Sequence, residues 1–181
     1  MKADAVATPL LLVVLVGIPG SGKSTLARAM IAGAPSTDRK WSRISQDVLG
    51  SRNRCIKAAQ RAADEGQHVI VDRCNFDEPQ RAHWLGLEAP RDGPFDHRLA
   101  IYLPVPPTEA EQRVLSRGVH EGGVDVESMS KAKIASIVKR MQSELRPPQL
   151  SEGFDEVLRL EAGRVGMEAV LERVWTLSGS G

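Results

Sequence analysis

The sequence has few of the features that mark disulfide-rich, zinc-binding or membrane-spanning proteins. It contains two cysteines, Cys55 and Cys74, with no C-x-x-C pair and no histidines at metal-ligand spacing, which argues against a disulfide framework or a zinc site. Its apolar run at residues 10–16 is too short to span a membrane. The formal net charge is only +1, so no overall basic field indicates a protein that wraps long nucleic acid. We therefore expect an intracellular protein, nuclear or cytoplasmic, that has no membrane partner.

Apolar runs alternate with helix-compatible stretches along the whole chain, a pattern typical of an α/β fold with a parallel sheet. Strands are predicted at residues 10–16, 43–45, 68–72, 98–103 and 156–160. Helices are predicted at residues 23–32, 48–65, 78–87, 108–117, 128–145 and 166–177. No internal repeat is visible, so we expect a single domain over residues 1–181, with flexible ends at about 1–8 and 178–181.

Residues 17–25 read G-I-P-G-S-G-K-S-T and match the phosphate-binding loop (P-loop) pattern G-x-x-x-x-G-K-[ST]. They stand between the first predicted strand and the first predicted helix, which is the order that this motif requires. In such a loop backbone N–H groups surround phosphate oxygens, the lysine reaches the β- and γ-phosphates, and the hydroxyl binds Mg²⁺. The sequence therefore predicts a site for ATP, or another nucleoside triphosphate, and Mg²⁺. The predicted nucleotide ligands are Gly20, Ser21, Gly22, Lys23, Ser24 and Thr25.

Two carboxylates follow predicted strands, at the edge where open α/β sheets bind their ligands. Asp47, in I-S-Q-D-V-L-G, has the position of a base that takes the proton of an acceptor hydroxyl, but it also has the position of a helix N-cap. Asp72 closes the strand H-V-I-V-D and suits either a Mg²⁺ ligand acting through water or a strand-end turn. We favour the metal role for Asp72, with Ser24 as the second ligand, because the strand is so apolar. Spacing alone leaves both roles of Asp47 open.

Arginines recur after successive predicted strands. Arg52 and Arg54 follow Asp47, Arg81 follows Asp72, and Arg113 and Arg117 lie one helical turn apart, where they share a face. Residues 118–125 contain three glycines and suit either a mobile lid or an ordinary helix–helix loop. A single surface arginine is more often solvated than functional, so the prediction of an anionic substrate rests on their recurrence.

Four segments together resemble the 5′-kinase domain of eukaryotic polynucleotide kinase/phosphatases, a module related to those of phage polynucleotide kinase, fungal tRNA ligases and aprataxin-like proteins. The segments are G-x-P-G-S-G-K-S-T, Q-D-V-L-G-S-R-N-R-C, V-I-V-D-R-C-N-F-D-E-P-Q-R-A-H-W and L-S-E-G-F. The resemblance implies a P-loop kinase fold, with helices on both faces of a parallel sheet and a small arginine-bearing lid. It also implies transfer of the γ-phosphate of ATP to the 5′-hydroxyl end of DNA or RNA, as in nucleic acid repair.

The resemblance also implies roles for individual residues. Lys23, Asp47, Arg113 and Arg117 match the catalytic positions, with Asp47 as the general base and the two arginines on the donor phosphates. Arg54 matches an arginine that contacts the phosphate on the 3′ side of the acceptor nucleotide. The expected substrate-binding residues are Gln46, Arg54, Asn75 and Arg81.

The sequence departs from that family at several positions. Gln46 and His83 replace arginines that hold the nucleic-acid backbone in animal relatives, Cys74 stands where threonine is common, and no phosphatase motif precedes the kinase segments. Two other interpretations remain open. One is a P-loop kinase for a small-molecule hydroxyl, similar to gluconate or shikimate kinases. The other is a nucleotide-gated binding module without turnover. Against it argues the joint presence of Lys23, Ser24, Asp47, Asp72 and the lid arginines Arg113 and Arg117.

Overall fold

Five parallel strands form one sheet in the computed structural model, which describes residues 9–34, 39–88, 95–116, 130–160 and 164–179. The strands are β1 (Leu11–Val16), β2 (Trp41–Ser45), β3 (His68–Asp72), β4 (His97–Tyr102) and β5 (Glu156–Arg159). Their order across the sheet is β2-β3-β1-β4-β5. The apolar β1 is therefore central, and its carboxyl end lies between the ends of β3 and β4.

Helices connect the strands and cover the sheet. They are α1 (Lys23–Ala32), α2 (Gln46–Leu49), α3 (Arg52–Asp64), α4 (Glu78–Leu85), α5 (Pro107–Leu115), α6 (Lys131–Glu144) and α7 (Arg164–Leu177). No helix in the described ranges is long and apolar enough to cross a membrane.

Alternate residues of β1 enter two separate cores. Leu12 and Val14 pack with Cys55 of α3 and Trp84 of α4 on one face of the sheet. Val13 and Leu15 pack on the opposite face, with α1 and α7, through Leu26, Met30, Val170 and Val174. The period of two in a strand thus buries both faces of the sheet. This confirms the predicted parallel sheet with helices on both faces.

A third apolar cluster joins α5 and α6 to the P-loop. Ile18 of the loop packs with Ala110 and Val114 of α5 and with Ile134 and Val138 of α6. The arginine-bearing α5 is therefore fixed beside the loop. The predicted lid at residues 118–125 and the predicted site residue Arg117 lie outside the described residues. So do residues 1–8 and 180–181, which fall in the predicted flexible ends.

The helix predicted at residues 48–65 is two helices in the structure. α2 ends at Gly50, whose φ of 79° lies in the left-handed region that glycine adopts readily. Ser51 then caps α3, because its side chain accepts a hydrogen bond from the N–H of Arg54. Asp47 and Arg52 therefore belong to different helices.

His68 at the start of β3 is a buried neutral base. Its side chain is 0 % exposed, its Nδ1 accepts the N–H of Leu11 at 3.1 Å, and its ring lies 4.4 Å from that of Trp41. Within the described part of the chain, Nε2 is buried and has no hydrogen-bond partner. Burial, with a smaller contribution from Arg39, lowers the pKa of His68 to about 4. Protonation of this ring therefore opposes folding.

We expect His68 to make the fold acid-sensitive between pH 6.5 and pH 4. The unfolded chain binds a proton near pH 6.5 and the folded chain only near pH 4, so stability is lost as the pH falls through this window, by about 3 kcal/mol in total. His68→Asn keeps an acceptor for the Leu11 N–H but does not titrate. Urea unfolding at pH 7 and pH 4 should show a larger loss in the parent than in the variant. Equal losses would contradict the buried neutral His68.

Candidate active site

Glycines shape the loop between β1 and α1. Gly20 and Gly22 have φ angles of 81° and 99°, in the left-handed region. A Cβ on Gly20 would lie 2.3 Å from the carbonyl oxygen of Ala110, so α5 packs directly against the loop. Gly22 is the N-cap of α1 and offers no side chain to the first-turn N–H groups. Those groups are available to an anion at the helix N-terminus, as the P-loop motif requires.

The Lys23 ammonium lies inside this loop and is mostly buried. Its Nζ donates hydrogen bonds to the carbonyl oxygens of Gly17, at 3.0 Å, and Ile18, at 2.8 Å, and to Ser21 Oγ at 3.3 Å. The loop thus holds the cation at its own centre. Phosphate oxygens bound there would compete with these acceptors for the three protons of the ammonium.

A cavity of about 420 Å³ opens where the P-loop meets the ends of β2 and β3. It brings together five side chains that the sequence analysis selected, from three separate segments of the chain. These are Lys23, Ser24, Gln46, Asp47 and Asp72. The remaining lining residues are Pro19, Gly20, Gly22, Arg52, Arg73, Cys74, Phe76, Gln80 and Met141. The predicted ligands Ser21 and Thr25 do not line it: Ser21 is buried beneath Lys23, and Thr25 is exposed.

Asp47 lies in the first turn of α2, which follows the last residue of β2 directly. The N-cap residue of α2 is Ser45 and that of α3 is Ser51, so the alternative role of Asp47 as a helix cap is wrong. Its side chain is exposed and lines the cavity. An accessible carboxylate in that position is able to accept a proton from a bound hydroxyl.

Asp72 and Ser24 line the same cavity and together offer oxygen ligands of the kind that Mg²⁺ prefers. Arg43 of β2 already pairs with the carboxylate, since its Nε and Nη2 lie 2.8 and 2.6 Å from Asp72 Oδ2. No group of three His, Cys, Asp or Glu residues that could hold a metal occurs in the described ranges. The oxygens of Asp72 and Ser24 therefore fit a cation that takes most of its ligands from phosphate and water. They do not fit a cation whose ligands all come from protein side chains.

Asn75 was expected to bind substrate, but the structure places it in the protein interior. It is 0 % exposed, and its φ of 45° is left-handed. Its Nδ2 donates to the carbonyl oxygen of Leu15 at 2.8 Å, and its Oδ1 accepts from Trp84 Nε1 at 2.9 Å. Asn75 thus ties the segment after β3 to the end of β1, and its amide has no access to the cavity.

Arg81 was also expected to bind substrate and is likewise buried, with 1 % exposure. Its Nε and Nη2 pair with the two carboxylate oxygens of Glu152 at 2.6 and 2.7 Å, and its Nη1 donates to the carbonyl oxygens of Asn75 and Arg146 at 3.0 Å. Four of the five N–H donors of this guanidinium thus bond to protein groups. Because Arg73, Cys74 and Phe76 line the cavity, Arg81 and Asn75 support its wall and do not face its interior.

Two of the other predicted arginines, Arg54 and Arg113, lie outside the cavity lining. Arg54 is exposed on α3. Arg113 is partly exposed on α5, where it pairs with Glu109 and its Nη1 lies 3.5 Å from the carbonyl oxygen of Gly20 in the P-loop. Arg117 lies outside the described residues. Of these three, Arg113 has a described contact with the predicted donor site.

Two further arginines line the cavity: Arg52, which the sequence analysis named only among the recurring arginines, and Arg73, which it did not select. Arg52 is in the first turn of α3, and Arg73 comes directly after Asp72. For Arg73 the available signal was its position, because a side chain immediately after a parallel strand faces the ligand-binding edge of the sheet.

The sheet order and the P-loop geometry define a P-loop kinase fold, and solved structures agree. A fungal RNA kinase superposes with a TM-score of 0.70 at 15% identity, over 93% of this chain and 87% of that chain. A gluconokinase from Sinorhizobium meliloti 1021 gives a TM-score of 0.55 at 16% identity, over 94% of this chain and 98% of that chain. At such identities the likeness establishes the fold, which is shared by kinases of different acceptors.

Two curated proteins are similar in sequence. "Transcription factor bHLH140" of Arabidopsis thaliana is 33% identical over 153 residues, which are 82% of this chain and 16% of that protein. The bifunctional polynucleotide phosphatase/kinase of Schizosaccharomyces pombe is 28% identical over 146 residues, which are 81% of this chain and 32% of that protein. The chain thus spans less than a third of the length of either relative. No protein-family model matches the chain.

Proposed function

We propose that the chain is an ATP-dependent polynucleotide 5′-hydroxyl kinase, which phosphorylates the 5′-hydroxyl end of DNA or RNA inside the cell. The observation that carries the proposal is a single cavity lined by both Lys23 of the P-loop and the accessible carboxylate of Asp47. Phosphoryl transfer needs one group that holds the donor phosphates and another that orients and deprotonates the acceptor hydroxyl. The sequence similarity to a polynucleotide phosphatase/kinase supports the choice of acceptor.

On the donor side, the free N–H groups at the start of α1 and the Lys23 ammonium would bind the β- and γ-phosphates of ATP. Ser24 and Asp72 would hold Mg²⁺, which when bound neutralises charge on the phosphates. Arg113 contacts the P-loop at Gly20, and Arg117 follows it by four positions in the sequence. Both are proposed to face the donor phosphates.

On the acceptor side, Asp47 would accept the proton of the 5′-hydroxyl while the 5′ oxygen bonds to the γ-phosphorus. The bond from that phosphorus to the β-phosphate oxygen breaks, and ADP leaves. Gln46 lines the cavity beside Asp47 and is placed to donate hydrogen bonds from its amide to the acceptor. The charge and the proton thus move between atoms that border one cavity.

A kinase for a small-molecule hydroxyl is the second candidate. The gluconokinase fold is shared, and the formal net charge of +1 provides no general attraction for a polyanion. Both candidates use the same donor residues. They differ in the acceptor alone, so the test must vary the acceptor.

The direct test uses ATP labelled on its γ-phosphate and a synthetic oligonucleotide with a 5′-hydroxyl. The control is the same oligonucleotide carrying a 5′-phosphate. Label should appear on the first and not on the second, and a phosphatase specific for terminal phosphates should remove it. Equal labelling of both would place the phosphate elsewhere on the strand, and labelling of neither would reject the proposal.

Arg113→Gln should lower kcat by at least about 10-fold and change the acceptor KM much less. The reason is that Arg113 lies beside the P-loop, where charge develops on the donor phosphates in the transition state. Steady-state kinetics on a 5′-hydroxyl oligonucleotide measures both constants, with Arg140→Gln on the exposed face of α6 as the matched control. An unchanged kcat with a raised acceptor KM would show that Arg113 holds nucleic acid.

A further inference from the structure

Arg43 holds one oxygen of the Asp72 carboxylate and leaves the other open. Arg43 is opposite Ile70 in the parallel register of β2 and β3, so Asp72, two residues further along β3, is its diagonal neighbour on the same face of the sheet. Both contacts of the arginine, from Nε at 2.8 Å and from Nη2 at 2.6 Å, are to Asp72 Oδ2. Oδ1 accepts no hydrogen bond from the described residues. Asp72 therefore presents a single uncommitted oxygen to the cavity that it lines.

The ion pair of Arg43 and Asp72 is largely shielded from water. The two side chains are 16% and 2% exposed, so salt and solvent screen their attraction only weakly. A guanidinium is always charged, and its planar fork sets the direction of its N–H groups. A buried ion pair adds little net stability compared with an apolar pair of the same size. The main effect of Arg43 is therefore to fix the orientation of the Asp72 carboxylate.

The number of oxygens that the protein offers affects which divalent cation such a site prefers. Ca²⁺ takes about six to eight oxygen ligands and accepts both oxygens of one carboxylate, whereas Mg²⁺ is smaller, requires near-octahedral geometry and usually keeps several waters. With Arg43 in place, the protein offers the hydroxyl of Ser24 and one oxygen of Asp72. Without Arg43, the carboxylate would be free to offer both oxygens, which favours the larger cation.

We propose that Arg43 is a positioning residue that makes the donor site selective for Mg²⁺ over Ca²⁺, because it restricts Asp72 to one ligand oxygen. The inference rests on the donor side of the proposed kinase function and does not depend on the identity of the acceptor. Arg43 does not line the active-site cavity and acts only through Asp72. It lines instead a second cavity, of about 440 Å³, between β2 and α3.

The test measures binding of a non-hydrolysable ATP analogue by calorimetry, in saturating Mg²⁺ and separately in saturating Ca²⁺. The parent should bind the analogue more tightly with Mg²⁺. Arg43→Met keeps the aliphatic stem and should lower the ratio of the Mg²⁺ affinity to the Ca²⁺ affinity by about 10-fold, since partners of metal-ligating groups contribute about 10- to 100-fold to metal affinity. Arg43→Lys should restore part of the ratio by keeping a cation beside Oδ2. The ratio is the readout because loss of a positive charge strengthens the binding of both cations.

Two controls separate this role from a general effect on the fold. Arg61→Met is the matched control, since Arg61 also lines the second cavity but neither lines the active-site cavity nor pairs with Asp72. It should keep the parent ratio. In an Asp72→Asn background, Arg43→Met should leave the ratio unchanged, because the proposed effect passes through the Asp72 carboxylate. A purely structural role for Arg43 predicts no such dependence on Asp72.

Thermal unfolding identifies the folded variants, and Arg43→Lys carries the test if Arg43→Met does not fold. An intermediate ratio in Arg43→Lys would support the proposal. The parent ratio in every folded Arg43 variant would overturn it, and so would equal binding with both cations in the parent. A ratio that depends on Arg43, in a protein that phosphorylates no 5′-hydroxyl, would support the role of Arg43 and reject the proposed kinase function.

Discussion

Lys23→Ala should abolish phosphoryl transfer, with a loss in kcat of about 10³-fold or more. The ammonium is held at the centre of the P-loop by the carbonyl oxygens of Gly17 and Ile18 and by Ser21 Oγ. It is the one cation positioned there by several short hydrogen bonds within the described loop. Removing it takes away charge stabilisation where negative charge moves in the transition state. Transfer of labelled γ-phosphate under single-turnover conditions measures the loss.

The control must separate chemistry from folding, because Lys23 is buried and its removal leaves three loop acceptors unpaired. Lys23→Met keeps the aliphatic stem, and thermal unfolding of both variants reports whether the fold persists. Activity within a few-fold of the parent in a folded variant would contradict the P-loop assignment.

Asp47→Asn should lower kcat by about 10²-fold or more, with a melting temperature close to that of the parent. Asparagine has the same shape but cannot accept a proton at neutral pH, and general bases contribute about 10²–10⁴-fold. The side chain is exposed and caps neither α2 nor α3, so the substitution removes no described structural contact. Steady-state kinetics and thermal unfolding on the same preparation test both halves of the prediction.

Asp64→Asn is the matched control for Asp47→Asn, since Asp64 is an exposed aspartate at the end of α3, away from the cavity. It should leave kcat unchanged. If Asp47→Asn lost stability but kept its specific activity, Asp47 would be a structural residue and another group would have to serve as the base.

Most of the fold could be predicted because its signals are local. β1 is a continuous apolar run and β3 has three apolar residues at its centre, which is how strands buried on both faces read in a sequence. The P-loop follows β1 with a fixed spacing. The division between α2 and α3 was missed because residues 48–65 read as one helical pattern. The deciding features, the left-handed Gly50 and the cap at Ser51, depend on backbone conformation.

The site was predicted less completely, for a physical reason. Sequence shows that a residue is charged but not whether it is buried. Arg81 has the charge of a phosphate ligand, yet its partner Glu152 lies 71 positions away in the chain and only the fold brings them together. Arg73 directly follows β3 and thus had a positional signal that was overlooked, but its contact with the Trp84 ring depends on the fold. Asp47 and Asp72 stand at or near strand ends, and both line the cavity, because topology alone determines where strand ends lie.

The most direct test of the proposed acceptor is a competition in one reaction. The folded parent protein, Mg²⁺ and labelled ATP are mixed with equal concentrations of a 5′-hydroxyl oligonucleotide and gluconate, and the label in each product is measured. In such a mixture the ratio of products equals the ratio of kcat/KM values. A polynucleotide 5′-hydroxyl kinase should place nearly all of the label on the oligonucleotide, and Asp47→Asn should remove it. Label on gluconate with none on the oligonucleotide would contradict the proposal and identify a small-molecule kinase.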